Sequence, residues 1–419
     1  MALELSLPQA LRLADRLLRE GDLGRAARLA LQVAQAAAQR LDLLLSACRL
    51  LRMADRAALA VPFLCRAFVL SGRDGRVAVN LGNALRAAGR SAQARVACRL
   101  ACALAPDLAD GRFAYSLTLL TAGRYAEGFA AYEARPDRQK FLAQARALGL
   151  AVWDGGGGLE GRSMLVVAEQ GLGDTIQFAR FLTALSRRGA RVHLRCPVPL
   201  RRLLDRVEGI CGTVGRQAPA FDLIDSLGSL AHHLGQGPAG GGRPYLRVAP
   251  GRRLAGLPRP RVGVAWAGNP RNPRDPVRRC PFEVFSQLFS LPGITWVSLQ
   301  RDQPDDRLAA WPAVIDLGPE LADLDDTAAV LGELDLVISI DSAVAHLAGA
   351  LGVPCWLLLG VDCDWRWGPA GTATAWYASL RLWRQERAGD WAGLIGQVKG
   401  ALGKSGPGGS TTGSSLPAM

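Results

Sequence analysis

At 419 residues the chain exceeds one ordinary domain, so two or three units of typical size are expected, and a hydrophobic share of 49% is ample for buried cores. The formal net charge of +13 points first to nucleic acid, yet only Lys140, Lys399 and Lys404 of the fifty basic residues are lysines, the arginine bias of a GC-rich genome. Basic residues interleave with acids, and no basic stripe is threaded with aromatics, so nucleic acid is set aside as a partner.

The start, MALELSLPQALRLADR, carries Glu4 and Asp15 and lacks the basic-then-apolar layout of a secretory signal, so a cytoplasmic location is expected. Turn-like positions then recur at Gly21, Asp55, Gly89 and Gly123, each 34 residues after the last, which is the tetratricopeptide period. Five residues after each comes a small residue, Ala26, Ala60, Ala94 and Gly128, as close helix crossings require. In the third unit Leu81-Gly82 is read as opening the first helix and Pro106 as ending the second. Residues 1–138 are therefore expected to be tetratricopeptide-like helical repeats. By analogy with other solenoids they recruit a protein partner; the plainer alternative is that they pack only on the rest of the chain.

Between 139 and 160 the period breaks at Ala151-Val152-Trp153-Asp154 and the glycines Gly155 to Gly158, and a linker is expected there. Apolar strand-like and helical runs alternate afterwards: Met164–Ala168, Ile176–Leu185, Val192–Arg195, Leu200–Val207 and Phe221–Ile224, then a Pro/Gly-rich connector from Gly235 to Pro260. A second alternation covers Val262–Trp266, Phe282–Phe289, Thr295–Leu299, Thr327–Leu331, Leu334–Ile340, Ala343–Leu351 and Cys355–Leu359. This pattern predicts two parallel-sheet α/β domains, 161–250 and 251–402, facing one cleft. The uncharged stretch Ser342–Val361 contains His346, Pro354 and several glycines, so it reads as a buried helix and strand, and no transmembrane segment is expected. The tail 403–419 has no periodic apolar residues and is expected to be disordered.

Three constellations can carry chemistry. Gly171-Leu172-Gly173-Asp174-Thr175 follows the first strand; Asp174 is either a helix N-cap accepting amide hydrogen bonds from residues 176 and 177 or a base held over the cleft. Asp341-Ser342-Ala343-Val344-Ala345-His346 runs from a strand into a helix start, a place that favours a phosphate; the alternative is that Ser342 caps the helix and His346 packs against the loop. Gly268-Asn269 precedes Arg271, Arg274, Arg278 and Arg279, which either neutralise a diphosphate or form an ordinary arginine-rich surface loop. Asp362-Cys363-Asp364 is thin evidence for a metal, His232-His233 is read as a solvated loop, and the nine scattered cysteines are expected to be reduced thiols.

The stretches AEQGLGDTIQFARFL, VGVAWAGNP, VSLQRD, VISIDSAVAHLAGALGVPCWLLL and DWRWGP together resemble bacterial proteins that join tetratricopeptide repeats to a glycosyltransferase module similar to the family 9 ADP-heptose:lipopolysaccharide heptosyltransferases. The architecture is also similar to that of the repeat-bearing protein O-GlcNAc transferases. The resemblance implies a GT-B-type pair of Rossmann-like domains, with acceptor on the N-terminal side (Gly171, Gly173, Thr175, Gln177) and nucleotide-sugar on the C-terminal side (Gly268, Asn269, Arg278, Asp341, Ser342, Ala343, His346). It implies Asp174 as general base of an inverting transfer to a glycan or protein hydroxyl, with no metal or cofactor. Two positions depart from the family pattern: Ala343 stands for a glycine, and Arg278 stands for a lysine near the diphosphate. The competing expectation is a non-catalytic interaction scaffold carrying an inactive transferase module.

Overall fold

The computed structural model describes residues 5–37, 39–215, 220–238, 242–248, 251–272, 274–301 and 306–404. The chain forms two compact units. The first comprises the helices up to Pro136 together with Gly360–Ala370 and Gln385–Asp390; the second comprises Asp137–Leu359, Gly371–Arg384 and the segment from Trp391 onward.

In the first unit, α1 (Leu7–Arg19) packs with α2 (Leu23–Ala36), α3 (Leu41–Met53) with α4 (Ala57–Leu70), α5 (Gly75–Ala87) with α6 (Ser91–Leu104), and α7 (Ala109–Thr121) with α8 (Tyr125–Tyr132). The period seen in the sequence has a backbone cause. Gly21, Asp55, Gly89 and Gly123 take φ values of 85°, 58°, 74° and 74° between paired helices, the left-handed conformation that ends a helix and that glycine adopts without steric cost. Ala26, Ala60 and Ala94 are fully buried, and a Cβ at Gly128 would lie 2.7 Å from Leu120 Cδ2, so the small residues mark where the paired helices touch. Gly82 does not open a helix: α5 begins at Gly75, behind Asp74, whose carboxylate accepts the Arg76 N–H at 2.7 Å. Its smallness serves packing instead, since a Cβ there would collide with Cys98 Sγ.

Two segments distant in sequence complete this unit. Arg86 Nη1 lies 3.4 Å from Asp362 Oδ1, and the Phe129 and Trp365 rings meet edge to face with centroids 5.8 Å apart. Asp364 accepts from the Arg366 N–H at 3.1 Å and from Arg366 Nη1 at 2.8 Å. Both carboxylates of the Asp-x-Asp pair thus have arginine partners. Burial alone would raise the Asp364 pKa, but the Arg366 guanidinium, the Arg366 N–H and Arg86 outweigh it and hold the carboxyl below its ordinary value.

The second unit holds two sheets, all of whose strand pairs are parallel. Helix α9 (Pro136–Ala147) leads to β1 (Ala151–Val152), β2 (Ser163–Val167), α10 (Leu172–Ser186), β3 (Arg191–Arg195), α11 (Arg201–Leu204), β4 (Ile210–Thr213), β5 (Leu223–Ser226) and α12 (Leu230–His233). The strand order is β1-β5-β2-β3-β4. Within 139–160, the stretch expected as a linker, Phe141 and Ala145 of α9 pack against Leu165 and Ile224, and β1 pairs with β5.

The other sheet is built from β6 (Arg261–Ala265), β7 (Thr295–Ser298), β8 (Val314–Asp316), β9 (Leu336–Ile340), β10 (Cys355–Leu359) and β11 (Leu380–Arg384), in the order β11-β10-β9-β6-β7-β8. Its helices are α13 (Asp275–Arg278), α14 (Phe282–Phe285), α15 (Leu324–Leu331), α16 (Ala343–Leu351) and α17 (Trp391–Lys404). Every residue of β6, β9 and β10 is buried, as in a parallel sheet covered on both faces. Helix α17 runs through Lys404, so Gly403 and Lys404 are helical rather than part of a disordered tail, and the rest of that expected tail lies outside the described residues. Among the described residues no helix is long and apolar enough to cross a membrane.

Candidate functional site

Topology gathers the three constellations. In the first sheet the chain runs β2, β3, β4 outward and returns with β5 on the other side of β2, so the order reverses beside β2. The second sheet does the same beside β6, flanked by β7 and β9. In open parallel sheets the crevice outside the carboxyl ends of strands at such a reversal is where ligands bind. Gly171–Gln177 follows β2, Gly268–Asn269 follows β6, and Asp341–His346 follows β9.

Gly171 is the N-cap residue of α10, and its extended backbone (φ −67°, ψ 172°) turns the chain from strand to helix. Asp174 therefore lies at the third helical position and does not cap residues 176 and 177. Its carboxylate reaches back to accept the Gly171 N–H at 3.1 Å, the acidic half of a capping box, because a third-position side chain faces the cap rather than the amides beyond it. Asp174 is half-buried; Thr175 is buried with its hydroxyl donating to the Gly171 carbonyl at 3.0 Å, and Gln177 is fully buried.

On the other sheet, Ser342 is the N-cap residue of α16 but makes no side-chain capping bond; its hydroxyl lies 2.9 Å from that of Ser339. The Asp341 carboxylate is 3.5 Å from Arg278 Nη2 and 4.0 Å from His346 Nε2, and Arg278 also donates to the Asp341 carbonyl. Of the arginines after Asn269, Arg278 thus turns toward the β9–α16 loop, while Arg279 pairs with Asp275 at 2.9 Å and Arg271 stays exposed. Asn269 Oδ1 accepts the Arg271 N–H at 2.9 Å, which shapes the loop locally. Ala343, next to Ser342, is half-buried at the first position of α16.

The two helix starts meet at one point. Gly173 lies so close to the His346 ring that a Cβ would stand 2.7 Å from its Cδ2 and 3.2 Å from its Nε2. A side chain at Gly173 would press on the imidazole, and Asp174 is the next residue along α10. His346 is buried and lies against Gly173 of the first constellation as well as near Asp341 of its own loop.

Several supporting residues escaped the sequence reading. Gln300 Oε1 accepts the N–H groups of Trp266 and Ala267 at 3.2 and 3.0 Å, and Asp275 Oδ1 accepts that of Gly268 at 3.1 Å; together they fix the turn after β6. Arg180 of α10 donates to the Trp376 carbonyl at 2.8 Å, with its guanidinium 4.7, 5.1 and 5.0 Å from the ring centroids of Tyr245, Trp376 and Tyr377. The Tyr245 hydroxyl donates to the Ile176 carbonyl at 2.6 Å, and burial pushes its phenol above the ordinary value. His346 Nδ1 lies 2.9 Å from the Tyr377 hydroxyl. Arg180 and Gln300 lie inside the quoted stretches AEQGLGDTIQFARFL and VSLQRD, and Trp376 and Tyr377 in the aromatic run TAWYASLRLWR, but nothing in the sequence assigns them these contacts. His233, read as solvated, is instead held by Asp225, with Nδ1 2.7 Å from Oδ2, while Arg138 Nη1 lies 3.0 Å from Oδ1. The short helix α12 turns it inward, beside Trp153.

This is the layout of a two-sheet α/β module in which the starts of α10 and α16 meet. Residues 307–387, from before β8 through β11 and including Asp341, Ser342, Ala343 and His346, match glycosyltransferase family 9 (heptosyltransferase). The chain is 31% identical over 337 residues to protein FlbA of Caulobacter vibrioides, an alignment covering 71% of this chain and 55% of that protein, so the chain spans about half the length of this relative. Among solved structures, a family 9 glycosyl transferase from Veillonella parvula aligns with a TM-score of 0.42 at 14% identity, covering 55% of this chain and 88% of that one. The ADP-heptose LPS heptosyltransferase II of E. coli gives 0.41 at 14%, covering 57% and 97%. An O-GlcNAc transferase mutant from Thermobaculum terrenum gives 0.31 at 15%, covering 94% and 90%.

Proposed function

We propose that the chain is a metal-independent inverting glycosyltransferase that moves a heptose- or hexose-type sugar from a nucleoside-diphosphate donor to a hydroxyl of a glycan or protein. The observation that carries this reading is the contact of Gly173 with His346, which brings Asp174 beside a helix start inside the family 9 segment. Asp174 takes the proton of the acceptor hydroxyl as that oxygen attacks the anomeric carbon from the face opposite the leaving group; the bond to the diphosphate breaks and the configuration inverts. A positioned base contributes roughly a hundredfold to ten-thousandfold. Arg278, the amides at the start of α16, Ser342 and His346 balance the charge of the departing diphosphate, with Gly268 and Asn269 shaping the adjoining turn. Gly171, Gly173, Thr175 and Gln177 form the acceptor-side loop, and the helical repeats recruit the protein partner from a cytoplasmic location.

One observation favours a second reading, a non-catalytic scaffold with an inactive transferase module: Arg278 already has an anionic partner in Asp341, which competes with a phosphate. Calorimetric titration with ADP-, UDP- and GDP-sugars separates the two. Saturable binding of one donor, lost in Ser342→Asp, supports the enzyme; a folded protein that binds none of them supports the scaffold.

A further inference from the structure

Nine large hydrophobic residues are exposed among the described residues, and six of them, Leu59, Val69, Leu70, Val96, Leu100 and Leu104, belong to α4 and α6. Scattered singly, exposed apolar side chains need no explanation; gathered on two helices they mark a contact surface. Val69 and Val96 are 71% and 59% exposed. Helices α4 and α6 are the second members of successive pairs, and their C-terminal ends lie together: Ser71, just after α4, and Leu104 share the wall of one open concavity of about 640 Å³. The charge on this face has one sign. Neither helix contains an aspartate or glutamate, and their three arginines, Arg66, Arg95 and Arg99, make no ion pair among the described residues. Elsewhere in the same unit Arg19, Arg25 and Arg49 each have an aspartate partner. Arg66 stands three residues before Val69 and Arg99 three after Val96, so each cation shares a helix face with an exposed valine. The concavity adds the exposed Arg73; of the acids in its wall, Asp74 is taken by Arg76 at 3.0 Å, and Asp107 is the other.

We propose that the exposed face of α4 and α6 docks an amphipathic helix of a protein partner, apolar on its contact side and flanked there by aspartate or glutamate. This inference rests on the reading of the repeats as the element that recruits a partner. Such a helix meets both demands of the face: apolar residues at i, i+3, i+4 and i+7 cover the valines and leucines, and carboxylates beside them pair with arginines that the chain itself leaves without anions. A second copy of the same face does not fit, because arginine would meet arginine. A membrane surface fits less well than a protein helix, since the exposed large hydrophobics of the face include no Trp, Tyr or Phe to anchor in lipid.

The test titrates the full chain, by fluorescence anisotropy, with two synthetic helical peptides of about five turns that share one leucine stripe. One carries glutamate beside the stripe and the other lysine. The glutamate peptide should bind about tenfold more tightly, the worth of two or three exposed ion pairs, and added salt should shrink the difference. The double variant Arg66→Glu, Arg99→Glu should prefer the lysine peptide, and Val96→Asp should weaken binding of the glutamate peptide about tenfold; because these side chains are exposed, the melting curves should not move. Equal affinity for the two peptides overturns the proposal. So does sedimentation with phosphatidylserine vesicles, or a dimer, that Val96→Asp abolishes, since either gives the face another occupant. Binding of the glutamate peptide that none of these changes alters overturns this face yet leaves recruitment by the repeats standing, whereas a chain that binds neither peptide overturns the face and withdraws its support from recruitment.

Discussion

Replacing Gly173 with alanine sets two opposite effects against each other. Gly173 is an early residue of α10, and alanine in a helix is favoured over glycine by up to about 1 kcal/mol. The added Cβ, however, would stand 2.7 Å from His346 Cδ2, where carbon atoms rest at about 3.5–4.0 Å, so the ring must retreat by about 1 Å. It cannot do so freely, because it is buried and bonded to Tyr377. Overpacking of this kind costs about 1–3 kcal/mol, which leaves a net loss of about 1 kcal/mol after the helix gain. For a domain of this size that is a fall of about 2–4 °C in melting midpoint. Gly396→Ala in α17 is the control, since its Cβ would meet nothing within 4 Å, and it should gain stability as an ordinary helix glycine does. Scanning fluorimetry of the two variants side by side reads both signs. If Gly173→Ala rises along with Gly396→Ala and donor binding is intact, the two helix starts do not meet as described.

Asp174→Asn retains an oxygen that can accept the Gly171 N–H but cannot take a proton; the fold should survive while transfer drops a hundredfold or more, measured by sugar incorporation into acceptor, and unchanged transfer would remove Asp174 as the base. Arg86→Met leaves Asp362 without the guanidinium 3.4 Å away and withdraws a cation from Asp364, a change expected to cost about 3–5 kcal/mol and visible in a urea melt. Because the Asp364 pKa is lowered in the folded protein, its ionised form stabilises the fold above the ordinary carboxylate value of about 3.9 and that contribution is lost as pH falls through the lowered value; in Arg86→Met, acid loss of structure followed by circular dichroism should begin at a higher pH. Cys65 and Cys211 are exposed, whereas burial pushes Cys48, Cys98 and Cys196 up to about 12, so a thiol reagent at pH 8 should label the first two quickly and reach the last three only on unfolding.

What the sequence disclosed follows from which forces are local. The 34-residue period was legible because each turn needs a left-handed residue, and the strands β6, β9 and β10 because burial on both faces makes them continuous apolar runs. Strand β4 (ICGT) is short and largely half-exposed, β8 has three residues, and β11 (LRLWR) alternates with arginine at a sheet edge, so none carries that signal. At the site, Asp174 and His346 stand out by their motifs, yet whether Asp174 capped residues 176 and 177 depended on where α10 begins, a matter of one turn. Arg180, Tyr245 and Tyr377 were illegible in their roles because these come from contacts between residues far apart in the chain, as with the His346–Tyr377 pair spanning 31 positions and the Tyr245–Ile176 bond spanning 69.

The placement of Gly360–Ala370 and Gln385–Asp390 with the repeats has a consequence for anyone cutting the gene. The chain is not beads on a string: it returns to the helical unit twice after leaving it at Pro136, so no single cut separates two whole modules. A truncation beginning at Asp137 would strip Asp362 of Arg86 and Trp365 of Phe129, exposing a charge and an indole that the intact protein keeps covered. Transplanting the repeats alone would likewise leave Arg86 and Phe129 without the Asp362 and Trp365 that meet them here.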